Sequence, residues 1–255
     1  MKIIYKGTDG REELKRFLSQ VHNKNPKPES PPIQNPIIPI TEDLSFVTDE
    51  NLYKEISQYI TKKHSQIENK LIFADNVMKH SNPFFAVAVD MFCKKHYPEY
   101  RIARQVDLET NLSMFEGFYI DSGLALRNLT NQSNLEKAKY LFEQLKQKGI
   151  KESNFPIWSD LRGLELNGKN FKLTDESIYS TQECLNWESK TKYSKTNNLG
   201  LPKEKDENSL RQIWTSNNAL SRCFLNWDSD LNSLYLGFFD SNGNGRVVLA
   251  KLRSS

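Results

Sequence analysis

The sequence predicts an α+β fold, in which a helical N-terminal half is followed by a mixed or antiparallel sheet with one capped amphipathic helix. Three observations support this prediction. Apolar residues recur at helical spacing through residues 48–97. A strand pattern, a helix pattern and further apolar segments follow one another through residues 118–166. Asn167-Gly168 and residues 240–245 carry the turn residues of two hairpins, and hairpins join antiparallel strands.

The first 40 residues are expected to stand apart from the main domain. Residues 1–22 show a short strand pattern followed by a short helix pattern. Residues 23–40 carry six of the ten prolines, which fix φ and remove N–H donors. This segment is predicted to be an extended linker that proteases cut easily. The main domain then comprises residues 41–255, with a possible helical subdomain at residues 48–97.

Two helices are predicted in that subdomain. Thr48-Asp49-Glu50 combines an N-cap residue with acidic residues in a first turn, and the apolar pattern continues as far as Met78. Asn82-Pro83 begins the second helix, which is apolar nearly all round and is therefore expected to be buried. Pro98 ends this helix, and residues 100–109 then alternate as a strand does.

The centre of the chain is predicted to be a strand, a helix and a second strand, the last within the apolar residues 155–166. Residues 118–127 alternate between apolar and polar side chains, as in a strand with one buried face. Ser133 and Glu136 have the spacing of a capping box, and Gly149 is placed to end the helix that this box begins. The helix face that we expect to be buried carries Leu135, Ala138, Leu141, Phe142 and Leu145.

The sequence of the C-terminal third predicts a loop, then a helix and then a second hairpin. Residues 189–208 are polar and contain glycine and proline, which favours a loop. Residues 209–220 show apolar residues at helical spacing. Residues 234–239 and 247–252 are predicted to be strands, joined by a turn through residues 240–245.

Composition and charge limit the class of protein. An apolar fraction of 37% and a mean hydropathy of −0.66 indicate much solvated loop, and a net charge of +3 is too small to indicate nucleic-acid binding by itself. The N terminus lacks the apolar core of a signal peptide, and no apolar run approaches the roughly 20 residues that span a bilayer. Three widely spaced cysteines indicate reduced thiols. We therefore expect a soluble cytoplasmic protein that does not contact membranes.

Residues 240–245 also match the first half of a calcium-binding loop. Asp240, Asn242 and Asn244 place oxygen ligands at positions 1, 3 and 5, and a glycine follows at position 6. Position 12 is Lys251, where such a loop needs a bidentate acid. We therefore interpret the segment as a glycine- and asparagine-rich turn, with the three oxygen-bearing residues as candidate metal ligands. No cofactor is predicted apart from a divalent metal as the alternative.

Catalytic motifs are incomplete throughout the chain. Glu188-Ser189-Lys190 has the acid-x-lysine order of metal-dependent nucleases, but it precedes a polar loop rather than lying in an apolar strand. Cys93 and His96 are spaced to meet on one helix face as a nucleophile and base, although an apolar helix favours a buried structural cysteine. The candidate acids of a metal-dependent hydrolase are Asp121, Asp160, Glu165 and Asp175.

Three arginines are candidates for an anion-binding site. Arg101, Arg104 and Arg127 lie on two predicted strands, and the guanidinium fork suits carboxylate and phosphate groups. If the two strands are neighbours, Arg101 and Arg127 share a face with acidic residues. A salt-bridged strand face is therefore the alternative interpretation.

The leading functional hypothesis is a soluble intracellular binding or interaction protein without a catalytic motif. Its expected partner is a protein or a small anionic ligand. The first alternative is a metal-dependent hydrolase acting on phosphate esters. The second is an RNA- or ribosome-associated protein, which would bind nucleic acid through the lysine-rich residues 190–205. The sequence predicts no oligomeric state.

Overall fold

The structure is a computed structural model, and it describes residues 41–252. The segment predicted at residues 1–22 and the linker predicted at residues 23–40 lie outside the described residues. The helices are α1 (Glu50–Lys63), α2 (Pro83–His96), α3 (Gln105–Glu109) and α4 (Leu135–Gln147). The strands are β1 (Thr41–Phe46), β2 (Ile72–Ala74), β3 (Val77–Lys79), β4 (Tyr100–Ile102), β5 (Tyr119–Leu126), β6 (Ile157–Asp160), β7 (Leu164–Asn167), β8 (Asn170–Leu173), β9 (Tyr179–Thr181), β10 (Thr191–Lys192), β11 (Lys195–Thr196), β12 (Pro202–Glu204), β13 (Gln212–Trp214), β14 (Leu220–Leu225), β15 (Leu231–Asn232), β16 (Gly245–Arg246) and β17 (Val248–Leu252).

The predicted fold class is wrong, because the fold is rich in sheet and has no helical N-terminal half. The described part of the chain begins with β1, the hairpin β2–β3 follows α1, and β4 follows α2. The predicted continuation of the first helix to Met78 fails because Asp75 and Asn76 both adopt positive φ and reverse the chain between β2 and β3. The central feature is instead a curled half-barrel of seven strands.

The half-barrel is built from strands that lie between residues 119 and 232. Its strand order is β10-β13-β15-β14-β5-β6-β9, and β16 also pairs with β5. The β13–β15 and β16–β5 pairs are parallel, whereas β5 is antiparallel to both β14 and β6. The central strand β5 therefore has sheet partners on both edges.

Strand β5 is buried on both faces, so the prediction of a half-buried strand is wrong. Leu124 and Leu126 belong to the core that also contains the buried face of α4. Ala125 points to a second core, which contains Trp158. A Cβ at Gly123 would overlap the indole of Trp158, so glycine is required for this ring to lie against the strand.

The last described strand, β17, pairs with the first, so the two ends of the described chain lie side by side. It pairs with β1 on one edge and with β4 on the other, in a three-stranded antiparallel sheet. The predicted hairpin between residues 234–239 and 247–252 is therefore wrong. Residues 234–238 form no strand and run beside β14, where the Tyr235 carbonyl accepts a hydrogen bond from the Arg222 amide at 3.3 Å.

The start of α2 is confirmed, and α1 begins within the predicted segment Thr48-Asp49-Glu50 but with Asp49 rather than Thr48 as its N-cap. The Asp49 carboxylate accepts hydrogen bonds from the Asn51 and Leu52 amides at the start of α1. Asn82 caps α2 in the same way, Pro83 occupies the first position, and most of the helix is buried as expected. No helix within residues 41–252, including the apolar α2, has the length and apolar character needed to cross a membrane.

The predicted capping box of α4 is wrong, although the buried face is confirmed. The N-cap residue is Asn134, at a φ of 59°, and it makes no side-chain cap bond. Its amide group donates instead to the Leu220 and Leu236 carbonyls at 3.1 and 3.0 Å. Tertiary hydrogen bonds at this position replace the local cap expected from Ser133 and Glu136. The buried face comprises Ala138, Leu141, Phe142 and Leu145, and Leu135 is half-buried.

Two glycines act as predicted. Gly149 has a φ of 88°, and its amide donates to the Lys146 carbonyl while Ile150 donates to Leu145. This pair of bonds is a Schellman motif, which ends α4. Gly168 has a φ of 60° in the turn that joins β7 to β8, so the hairpin at Asn167-Gly168 is confirmed.

Three other segments differ from the prediction. Residues 100–109 form β4 and then α3 rather than one strand, because the Asp107 carboxylate accepts a hydrogen bond from the Arg104 amide and starts a helix. Residues 189–208, predicted to be a loop, contain β10, β11 and β12. Residues 209–220 form β13 rather than a helix, and Leu210 is 94% exposed. In the last two segments, pairing with neighbouring strands overrode the local pattern.

Candidate functional site

Two of the four candidate catalytic acids are buried in ion pairs with arginine. Asp121 accepts two hydrogen bonds from Arg222, at 2.7 and 2.6 Å, across the β5–β14 pair. Asp160 at the end of β6 accepts a hydrogen bond from Arg104 Nε at 2.7 Å. Burial raises the pKa of both carboxyl groups, and the paired guanidinium opposes this rise in each case. Neither carboxylate is exposed to a substrate in solvent.

The other two candidate acids lie on the surface, each beside its own lysine. Glu165 on β7 is 3.2 Å from Lys172, and Asp175 is 3.4 Å from Lys148. Within residues 41–252, no group of three histidine, cysteine, aspartate or glutamate residues is arranged to hold a metal ion. The structure thus does not bring the four candidate acids together as a metal-binding set.

The three candidate anion-binding arginines are buried and already engaged by the protein. Arg101 of β4 pairs with Asp107 of α3 at 2.6 Å, and both side chains are buried. Arg104 pairs with Asp160 through Nε and is 1% exposed, and its two buried Nη atoms have no hydrogen-bond partner within residues 41–252. The groups that accept hydrogen bonds from Arg127 are the Leu185 carbonyl, the Ser221 hydroxyl, and the carbonyl and hydroxyl of Ser233.

Of the three candidate calcium ligands, Asn242 and Asn244 take part in hydrogen bonds within the protein, whereas the Asp240 carboxylate makes none to residues 41–252. Asn242 Oδ1 accepts a hydrogen bond from the Asn244 amide at 2.9 Å, and the Asn244 carbonyl accepts one from the Tyr119 amide at 3.0 Å. Lys251, at position 12 of the sequence motif, lies in β17 opposite Asp43. Residues 240–245 instead lead from residues 234–238, which run beside β14, into β16 and then β17.

The cysteine and histidine of α2 do not form a nucleophile pair. Cys93 is buried, whereas His96 lies against the rings of Phe92 and Tyr59 at the exposed end of the helix. Burial raises the pKa of the Cys93 thiol from 9.0 to about 12, which removes the thiolate needed for nucleophilic attack. The structural role expected for this cysteine on an apolar helix agrees with its burial.

All three thiols are expected to be unreactive in the folded protein. Cys184 and Cys223 are also buried, and burial raises the pKa of each to about 12. The pKa of each thiol is therefore higher in the folded protein than in the unfolded chain, so the unfolded chain loses these protons first as the pH rises. Stability should fall as the pH rises from about 9 towards 12. Ellman's reagent at pH 8 should label three thiols in denaturant and none in the native protein. Rapid labelling of the native protein would contradict the burial of these side chains.

An aromatic cleft lies where β5 and β14 meet residues 235–245. Tyr119, Phe224 and Tyr235 contribute three rings, with centroids 5.8 Å apart for the first pair and 6.4 Å apart for the second. Trp227 extends this row, at 6.1 Å from Tyr119. The cleft has a volume of about 220 Å³. Its other lining residues are Ser81, Arg222, Asp240, Ser241, Asn242 and Gly245.

Several large apolar side chains around the cleft are exposed. Trp227 is 53% exposed and Tyr235 is 49% exposed, although both lie in contact with buried or half-buried rings. Leu234 and Leu236, on either side of Tyr235, are each 41% exposed. Single exposed apolar residues are common on proteins, but a contiguous group of them marks an interaction surface.

The base of the cleft is polar and electrically balanced. Arg222 lies over the Phe224 ring, with 4.9 Å between the guanidinium carbon and the ring centroid. Its Nη1 donates to the Gly237 and Asp240 carbonyls, and its other bonds are those to Asp121. The carboxylate of Asp121 therefore neutralises the positive charge of Arg222 inside the protein. The bonds to the two carbonyls hold the backbone of residues 237–240, which forms one side of the cleft.

Comparisons with known proteins identify no relative. No protein-family model, curated protein or solved structure matches this chain significantly. The aromatic cleft is therefore the feature on which a functional proposal can be based.

The ring residues of the cleft are absent from the sequence-based candidates. Trp227 stands between Asn226 and Asp228, and an aromatic residue among polar turn residues is a signal of exposure that the sequence offers. Tyr235, between two leucines, fits an ordinary strand pattern and gives no such signal. Two of the sequence-based candidates, Asp240 and Asn242, do line the cleft.

Proposed function

We propose that this protein is a non-catalytic binding protein that recognises its ligand with the aromatic cleft. The observation that supports this proposal is the row of four contacting rings, with Trp227 and Tyr235 about half-exposed. Tyrosine and tryptophan offer a large contact area with few rotatable bonds, and they are enriched at the energetically important positions of binding surfaces.

The arrangement of carboxylates favours binding over hydrolysis. A metal-dependent hydrolase needs several acids around one ion, whereas Asp121 and Asp160 are each buried in an arginine pair and Glu165 and Asp175 each lie beside a lysine. The aromatic cleft contains one exposed carboxylate, that of Asp240. A single exposed carboxylate does not supply the several acids that such an ion requires.

The lysine-rich segment offers less support for binding to nucleic acid. Lys195 pairs with Glu204 at 2.6 Å, and Lys190 lies over the Trp214 ring at 5.0 Å. Acidic residues alternate with the lysines through residues 203–207, so the surface is not uniformly basic. Phosphate binding depends on such an excess of positive charge.

A broad ligand screen with matched variants tests the proposal. Arrays of glycans, peptides and single-stranded oligonucleotides should be probed with the natural protein and with Trp227→Ala and Tyr235→Ala. We expect a ligand class that binds the natural protein and is lost, by about tenfold or more in affinity, in both variants. Ile72→Ala, which removes a 44% exposed apolar side chain on the β2–β3 hairpin, is the matched control and should bind normally.

Two results would overturn the proposal. One is the absence of binding to every class on the arrays. The other is binding that Trp227→Ala and Tyr235→Ala leave unchanged. Retention of oligonucleotides with a steep salt dependence would, in the second case, favour the RNA-associated alternative.

A further inference from the structure

We infer that the aromatic cleft binds an uncharged sugar ring, as one unit of a glycan. This inference rests on the proposed function, because it names the ligand class of the same site. It is based on the size of the cleft, on the two kinds of surface that line it, and on its charge balance.

The size of the cleft fits a single ring. Its volume of about 220 Å³ is below the roughly 300–1,000 Å³ typical of sites for drug-sized ligands. A nucleotide or a folded peptide segment needs more room than this, whereas one six-membered ring with its substituents is compact. Trp227 lies beyond Tyr119 in the same row of rings, so a linked second ring would have an aromatic surface to contact.

The lining combines aromatic faces with available polar groups. A sugar ring has a C–H face, which packs on an aromatic ring, and a rim of hydroxyl groups, which both donate and accept hydrogen bonds. Tyr119 and Tyr235 supply the rings. Within residues 41–252, the carboxylate of Asp240 and the hydroxyl of Ser241 make no hydrogen bond to the protein, and the Asn242 side chain uses only its oxygen. These groups remain available for the rim of a sugar.

The charge balance argues against an anionic ligand. The cleft contains one guanidinium, that of Arg222, and Asp121 neutralises it with two hydrogen bonds. Two further bonds of Arg222 go to backbone carbonyls. The exposed charge at the rim is the carboxylate of Asp240, which would repel a phosphate but would accept hydrogen bonds from sugar hydroxyls. A neutral polyhydroxyl ring does not need a free positive charge, and it can donate hydrogen bonds to the Asp240 carboxylate.

The test is a titration of the full chain with methyl glycosides of glucose, galactose, mannose and N-acetylglucosamine, and with their tetrasaccharides, followed by amide NMR. We expect at least one sugar to shift the amides of Tyr119, Phe224 and Tyr235. Tyr235→Ala should weaken its binding by about tenfold, whereas Tyr235→Phe, which retains the ring, should stay within about threefold. Ser241→Ala should weaken binding without changing the spectrum of the free protein elsewhere.

The contrary results separate this inference from the proposed function. If peptides bind the cleft in the array screen and no sugar shifts these amides, the ligand class is wrong and the binding function stands. If glucose 6-phosphate binds more than about tenfold tighter than the glucose glycoside, the cleft is an anion site and the inference fails. If no ligand of any class binds at these rings, both proposals fail. Natural-like spectra of the free variants establish that each one is folded.

Discussion

Asp121→Ala is expected to destabilise the protein by about 3–5 kcal/mol, the typical effect of removing one partner of a buried ion pair. Arg222 would keep its charge in the interior without the two hydrogen bonds that it donates to Asp121. The same guanidinium holds the Gly237 and Asp240 carbonyls, so the wall of the aromatic cleft should loosen as well. Chemical denaturation, with the midpoint and slope compared between the two proteins, measures the loss.

Two matched variants test this explanation. Asp175→Ala removes a carboxylate that is fully exposed, 3.4 Å from Lys148, and should change stability by no more than about 0.5 kcal/mol. The double replacement of Asp121 by Leu and Arg222 by Met should recover a large part of the stability, because no unpaired charge remains inside. A loss below about 1 kcal/mol for Asp121→Ala would show that the pair is not sealed from water.

Leu141→Ala should cost about 2–5 kcal/mol by leaving a cavity beneath α4. Leu141 is 1% exposed and lies in the core that also contains Leu124 and Leu126 of β5. A cavity there separates the helix from the centre of the half-barrel. The loss should appear as a lower denaturation midpoint with an unchanged slope.

Ser133→Ala is the corresponding control at the start of the same helix. A capping box would make this change cost about 0.5–2 kcal/mol, but the N-cap residue is Asn134, which bonds to Leu220 and Leu236. We therefore expect an effect within about 0.5 kcal/mol. A larger loss from Ser133→Ala than from Leu141→Ala would contradict both the position of the cap and the buried face of α4.

Features that depend on a few neighbouring residues could be predicted from the sequence. Three such features are the start of α1 within residues 48–50, the start of α2 at Asn82-Pro83 and the end of α4 at Gly149. They follow from the hydrogen bonds and φ values that one turn of chain requires. The buried face of α4 also follows, because helical spacing places its apolar residues together.

Most of the candidate site could not be predicted. The sequence drew attention to Asp121 and Asp240 as acids, but their roles depend on Arg222, which is 101 residues after Asp121 in the chain. The rings of Tyr119 and Tyr235 come together only because β5 pairs with β14 and residues 234–238 pass beside it. Nothing in the local sequence of β5 or of residues 234–238 specifies that both lie beside β14.

The sequence by itself therefore determined where several helices begin and end, and which face of α4 is buried. The tertiary structure alone decided that β17 lies between β1 and β4, that buried arginines pair with distant aspartates, and that three rings line a cleft beside Trp227. The physical reason is that a helix satisfies its own backbone hydrogen bonds, whereas a strand takes them from a partner that is remote in the chain. Charged and aromatic side chains on strands acquire their environment from that partner.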